Sequence, residues 1–143
     1  MAQLKPEYES IEEFKAIAVK LVDKYPQFFN GINANEIRAV GITNKDPKDD
    51  AEMFALMPVP MPIRMDCPYG YYVICNMQDW MGMDSKHQQI QVFRVLCRIS
   101  PDNDGKVLPF DLKDVYVVVK NFGTDYERGE VPDILADGFT MKE

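Results

Sequence analysis

Phe14, Ile17, Ala18, Leu21 and Tyr25 recur at intervals of three and four residues, the spacing that gathers apolar side chains on one face of a helix. Ahead of them, Ser10-Ile-Glu-Glu13 reads as a capping box. A hydroxyl at the N-cap and a carboxylate three residues on can each satisfy a free amide. The pattern predicts a helix to about Lys24, ended by Pro26, which biases its predecessor away from helical geometry. Phe28, Phe29 and Ile32 follow in a turn or short helical piece and should pack beneath that helix. Glu36 to Thr43 alternates loosely and predicts a strand. Asn44 to Asp50, with Asp46, Asp49 and Asp50, is polar throughout and predicts a flexible loop. Ala51 to Met57 fits either a short helix or the start of a strand. Pro58, Pro60 and Pro62 then impose an extended segment, polyproline-like or an edge strand.

Ile63 to Cys67 reads as a continuing strand, and Pro68-Tyr-Gly70 as a turn. Tyr71 to Met77, aromatic and β-branched, is the strongest strand signal in the chain. The two are close enough in sequence to pair as an antiparallel hairpin. Trp80 should pack where sheet meets helix, and Asp84 suits the N-cap of the next helix.

That helix, about Ser85 to Arg98, is apolar on more than one side. Ile90, Phe93 and Cys97 fall within about 60° of one another, and Val92, Val95, Leu96 and Ile99 cover much of the opposite side. His87, Gln91, Arg94 and Arg98 share the remaining wedge, also about 60° wide. Two buried, unpaired arginines would cost several kcal/mol, so the stripe either lines an open cleft or faces carboxylates. Asp111 and then Asp114, on a following helix over about 108–121, are the candidate partners. The stripe and these acids form a candidate ion-pair or anion site. His87 is the chain's lone histidine, and no nucleophile stands at a spacing that would pair with it.

Composition narrows the function classes. A chain of 143 residues with 46% hydrophobic content can bury a core, and is read as one domain over 1–143. No apolar run approaches a membrane span, and the first residues show no apolar signal core, so a cytoplasmic location is expected. A net charge of −7 disfavours nucleic-acid binding, which needs an excess of phosphate-neutralising Lys and Arg. The stretch from Asn121 onward holds Asp125, Glu127, Glu130, Asp133, Asp137 and Glu143 against Arg128 and Lys142. This acidic segment, 125–143, reads as solvated surface or as a face for a basic protein partner. Cys67, Cys75 and Cys97 sit beside apolar or aromatic residues and read as buried free thiols. Their spacing with His87 matches no compact metal pattern, and no cofactor is expected.

Several stretches in order also resemble a known family. They are Lys24-Tyr-Pro26, Ile42-Thr-Asn-Lys-Asp-Pro47, Pro62-Ile-Arg-Met-Asp-Cys-Pro-Tyr-Gly-Tyr-Tyr-Val73, Asp79-Trp80, Gly105-Lys-Val-Leu-Pro-Phe-Asp-Leu-Lys-Asp114 and Asn121-Phe-Gly-Thr-Asp125. Together they resemble the phage- and prophage-encoded metallopeptidases, small zincin-like proteins with a His-Glu-x-x-His helix. The resemblance implies an α+β fold. An antiparallel or mixed sheet of about three to four strands would pack on an N-terminal helix, a central helix and a following helix. It also implies that the zinc-binding histidines fall on Arg94 and Arg98, the general-base glutamate on Val95, and a third ligand on Phe110, with Asp111 retained. A guanidinium has no lone pair to offer Zn²⁺, and valine cannot take a proton from zinc-bound water. The resemblance therefore points to a degenerate, catalytically inactive member. A protein-binding module is then the expected role, for instance an inhibitor of a host defence or regulatory protein. The alternatives are a virion assembly protein and an enzyme with a rebuilt His/Arg/Asp anion site. Candidate partner-binding residues are Asp46, Asp49 and Asp50, then Pro58, Pro60 and Pro62, and the acids Asp125, Glu127, Glu130, Asp133 and Asp137.

Overall fold

A computed structural model describes residues 7–29, 32–43, 54–99, 115–123, 126 and 129–142. Strand β1 (Glu7–Ser10) leads into helix α1 (Glu12–Lys24) and the short helix α2 (Pro26–Phe29). A single 3₁₀ turn, Ala34–Glu36, precedes β2 (Ile37–Thr43). Then come β3 (Phe54–Pro58), α3 (Ile63–Asp66), β4 (Tyr71–Asn76), α4 (Met77–Gly82), α5 (Ser85–Leu96) and α6 (Tyr116–Phe122). The fold is α+β, built on a mixed four-stranded sheet in the order β1-β2-β4-β3. β2 and β4 run parallel at its centre, and β1 and β3 are antiparallel edges.

Strand alternation divides the sheet into two faces. Ile37, Ala39, Tyr71, Val73 and Cys75 point to one face and are buried. Their register neighbours Arg38, Val40, Tyr72 and Ile74 point to the other and are half-buried. α1 and α4 pack on the first face, and α5 packs on α1. Gly41 lies on that face at its tightest point, where an added Cβ would meet Met77 Sδ at 2.5 Å and Ile11 Cδ1 at 3.3 Å. A glycine there lets α4 close on the sheet. Trp80 is buried at the seam, 6.0 Å from the ring of Phe14 and 6.1 Å from that of Phe54. It thus joins α1, α4 and β3, the sheet–helix junction its isolation in the sequence suggested.

The local patterns hold where local chemistry decides. α1 ends at Lys24, with Phe14, Ala18, Leu21 and Tyr25 buried and Ile17 half-buried. Three expectations are corrected. Ser10 belongs to β1, whose pairing with Val40 holds its backbone in the sheet, so Ile11 takes the N-cap without a side-chain bond. The Ser10 hydroxyl instead donates to Glu12 Oε1 at 2.8 Å. Residues 63–66 form a helical turn, α3, rather than a strand, and the antiparallel partner of β4 is Phe54–Pro58. Hydrogen bonding favours this arrangement: the Val59 amide donates to the Gly70 carbonyl at 2.9 Å, extending the β3–β4 ladder past its prolines. Lastly, α6 starts at Tyr116 after an extended Val115 (ψ 122°), so no helix runs unbroken over 108–121.

The segment 129–142, expected as an acidic solvated tail, is a strap that completes the core. Val131, Ile134 and Met141 are buried in the same apolar cluster as α1 and α5, as is Tyr126. The Ile134 carbonyl accepts from the Tyr25 hydroxyl and from Lys24 Nζ, and Lys24 Nζ also donates to the Ala136 carbonyl. Burial, then the charge of Asp133, holds the Tyr25 hydroxyl above its ordinary range, protonated and able to donate. At the far end, Asn121 accepts from the Lys142 amide at 2.9 Å and donates to its carbonyl at 2.8 Å.

Candidate functional site

α5 is the most deeply placed helix. Asp84 caps it, its Oδ1 accepting from the His87 amide at 2.8 Å, as expected of an aspartate preceding an apolar-periodic run. Ile90, Val92, Phe93 and Leu96 are at most 1% exposed, and Phe93 meets the rings of Tyr25, Phe28 and Phe29 at centroid distances of 4.8–5.8 Å.

The polar stripe of α5 exists, but its members do different work. Gln91 is buried, while Arg94 and Arg98 are half-buried and each engages other groups of the chain. Val95, the position of the general base in the resembled family, is 4% exposed and part of the apolar core. The acids proposed to face this stripe, Asp111 and Asp114, lie outside the described residues, as do Phe110, the third-ligand position of the resembled family, and Asp46, Asp49, Asp50, Asp125 and Glu127. Among the described residues no three His, Cys, Asp or Glu side chains gather as metal ligands would. Burial pushes the Cys75 thiol up to about 12, which leaves it an inert core group. Gln89, which the sequence reading passed over, is also buried, and its Oε1 has no hydrogen-bond partner among the described residues.

His87 is committed to the strap. Its Nδ1 lies 2.7 Å from Asp84 Oδ1 and its Nε2 lies 2.9 Å from the Gly129 carbonyl. Both partners are acceptors, so only the doubly protonated imidazolium satisfies both. The bond to Asp84 is the main cause that raises the His87 pKa above its ordinary 6.5, against the opposing effect of burial. In return, the His87 amide and then its imidazole hold the Asp84 carboxyl below its usual range.

The most unusual surface lies between β3 and β4. Residues 59–70 form a loop closed at its neck by the Val59–Gly70 bond, and the Gly70 amide donates to the Glu36 carbonyl at 2.8 Å. Arg64 turns inward: its guanidinium lies 3.5 Å from Glu36 Oε2 and 3.3 Å from the Cys67 carbonyl, and it leaves so little room over Gly70 that a Cβ there would meet it at 3.3 Å. Val59 is buried, but most of the other apolar side chains turn outward. Met57, Met61, Ile63 and Met65 are 50, 72, 60 and 76% exposed. The loop is amphipathic in the inverted sense, with its ion inside and its hydrophobes in solvent. Of the proline triplet, Pro58 ends β3 on the sheet edge while Pro60 and Pro62 lie exposed in this loop. The prolines stand out in the sequence more than the apolar residues among and around them. The signal was present: Met-Pro-Val-Pro-Met-Pro-Ile-Arg-Met is too apolar for an ordinary solvent loop.

A second concave feature is a cleft of about 370 Å³ between α6 and the strap. Glu130, Val131 and Pro132 line it together with Phe122 and Phe139, whose rings stack at 6.3 Å. Of the acids expected to bind a partner, Glu130 and Asp137 are exposed. Asp133 is half-buried and spends its Oδ1 on the Leu135 amide of a turn.

No helix among the described residues is long and apolar enough to cross a membrane. No known protein-family model, no curated protein and no solved structure matches this chain.

Proposed function

We propose that this chain is a catalytically inactive, metallopeptidase-like protein that works as a protein-binding module, and that the inverted loop 57–65 is its docking surface. The observation that carries this reading is the outward set of Met57, Met61, Ile63 and Met65 on and beside a loop whose arginine pairs with Glu36. Burying such a side chain is worth about 1.5–3 kcal/mol, so leaving several in water has a cost that binding recovers. Methionine adapts to irregular partner surfaces, and the loop's two-ended closure limits the entropy lost on docking. The zincin-like ancestry rests on the sequence resemblance. It is supported at the coarse level by a mixed sheet with α5 following its central strand β4. A phage-type inhibitor of a host defence or regulatory protein fits a binding module of net charge −7, because an acidic surface steers toward a basic one.

The test is a bacterial lysate passed over the immobilised chain and over a Met61→Glu/Met65→Glu variant. Both residues are mainly in solvent, so the variant should melt like the parent and lose a stoichiometric partner that the parent retains. Equal retention by both, or no stoichiometric partner for the parent, overturns the reading. Self-association through the same loop, as an assembly protein would show, would appear instead as a dimer in sedimentation that the variant abolishes. The inactive half of the proposal has its own test. Purified protein should carry substoichiometric zinc, and chelator should leave its melting temperature unchanged. Stoichiometric zinc would overturn it.

A further inference from the structure

Among the described residues, side-chain hydrogen bonds fasten the strap 129–142 at three places, and one of the three is made by a histidine. Lys24 and Tyr25 hold Ile134 and Ala136, and Asn121 holds Lys142. His87 holds Gly129, at the near end, and its side chain is 19% exposed, open enough to exchange protons with solvent. We propose that His87 is a proton-operated latch: charged, it pins the near end of the strap to α5, and neutral, it lets that end go.

The geometry dictates which bond fails. A neutral imidazole keeps one proton for two acceptors. Asp84 is a carboxylate and Gly129 a neutral carbonyl, and a hydrogen bond to a charged partner is the stronger. The remaining proton therefore stays on Nδ1, facing Asp84. The lone pair of Nε2 then confronts the Gly129 oxygen across 2.9 Å, and attraction becomes repulsion. The groups around the ring are Asp84 and exposed Lys86 on the side of α5, and the Gly129 and Tyr126 carbonyls on the side of the strap, with exposed Glu130 following. Glu127 and Arg128, which join those two carbonyls, lie outside the described residues.

The sign follows from the raised pKa of His87. The latch is fully closed below the ordinary imidazole value and opens as pH rises through the raised one. Release is local. Tyr126 and Val131 stay in the core on either side, and Ile134 stays held by Lys24 and Tyr25, so the loosened stretch is the exposed Gly129 and Glu130. Glu130 of that stretch lines the 370 Å³ cleft together with residues of α6 and of the far end of the strap, among them Phe122 and Phe139. Protonation of one side chain thus sets how firmly the cleft is formed.

Because His87 is the only histidine, its ring nitrogen resonances can be followed without assignment ambiguity. Backbone ¹⁵N relaxation should be measured well below and well above the imidazole midpoint. Residues 129 and 130 should fall from rigid order parameters of about 0.85 to below about 0.6, while 131, 134–136 and 142 stay rigid. Above the midpoint the ring should carry its proton on Nδ1. In His87→Gln, which can still donate but does not titrate, the order parameters should be the same at both pH values. In Asp84→Asn, which keeps a capping oxygen without its charge, the midpoint should move down. PH-independent order in the parent, a loss that persists in His87→Gln, or an unmoved midpoint in Asp84→Asn each overturns the latch.

Discussion

Replacing Phe93 with alanine will lower the unfolding free energy by about 3–5 kcal/mol. Phe93 is fully buried on α5 and is the hub of an aromatic cluster. Its ring lies edge-on to Tyr25 at 5.8 Å, to Phe28 at 5.4 Å and to Phe29 at 4.8 Å. The truncation removes the transfer free energy of the ring, leaves a cavity the rigid helices cannot close, and forfeits edge-to-face contacts worth about 0.5–1.5 kcal/mol each. A domain of this size has about 5–15 kcal/mol in total, so the variant should sit near its unfolding threshold at room temperature. Urea titration gives the value directly, and an unchanged slope would show that the compactness of the unfolded state is the same. Phe93→Leu, which keeps most of the volume, should lose distinctly less. A loss below about 1.5 kcal/mol for Phe93→Ala would mean that α5 is not packed on α1 and α2 as described.

Val95→Glu is the second large effect and bears on function. If the face of α5 that carries Val95 opened on a cleft, as the general-base position of the resembled family would, a glutamate there would be tolerated. Val95 is instead 4% exposed and surrounded by apolar core. A carboxyl placed there must either stay ionised without a partner or take up a proton at a raised pKa. The expected loss is about 3–5 kcal/mol, similar to that for an uncompensated buried charge. It should grow with pH. The folded variant holds its proton while the unfolded chain releases it above the ordinary carboxylate range, so stability falls as pH rises between the two values. Val95→Thr, nearly the same shape with one hydroxyl, should lose much less. Destabilisation by Val95→Glu of under about 1 kcal/mol, with no pH dependence, would place this position on an accessible cleft and reopen the case for chemistry there.

The inverted loop and the strap qualify the first reading of this chain in opposite directions. Of the loop's prolines only Pro58 lies on the sheet edge, and Pro62 leads into the helical turn α3 rather than an extended segment, while the adhesive residues are Met57, Met61, Ile63 and Met65 around them. The acidic segment was read as surface. Its exposed acids are still surface, but Tyr126, Val131, Ile134 and Met141 bind it to the core. Apolar residues interspersed among the acids were the visible sign, and net charge drew attention away from them.

By itself the sequence determined the elements whose cause is local. The period of Phe14 to Tyr25 and the proline at 26 set α1 and its end, the aspartate at 84 set the start of α5, and the β-branched and aromatic run at 71–76 set β4. Each depends on residues within a few positions of one another. Tertiary structure decided the rest. Whether Ser10 caps a helix or joins a sheet depended on a partner strand some 30 residues away. Whether 54–58 or 63–67 paired with β4 depended on which backbone amides could complete a ladder past the prolines. That Arg64 faces inward and the methionines outward depended on Glu36, and that His87 became a fastening rather than a ligand depended on a carbonyl 42 residues further along the chain. Hydrogen bonds and ion pairs between distant residues leave no periodic trace in a sequence, because only the folded chain brings donor and acceptor together.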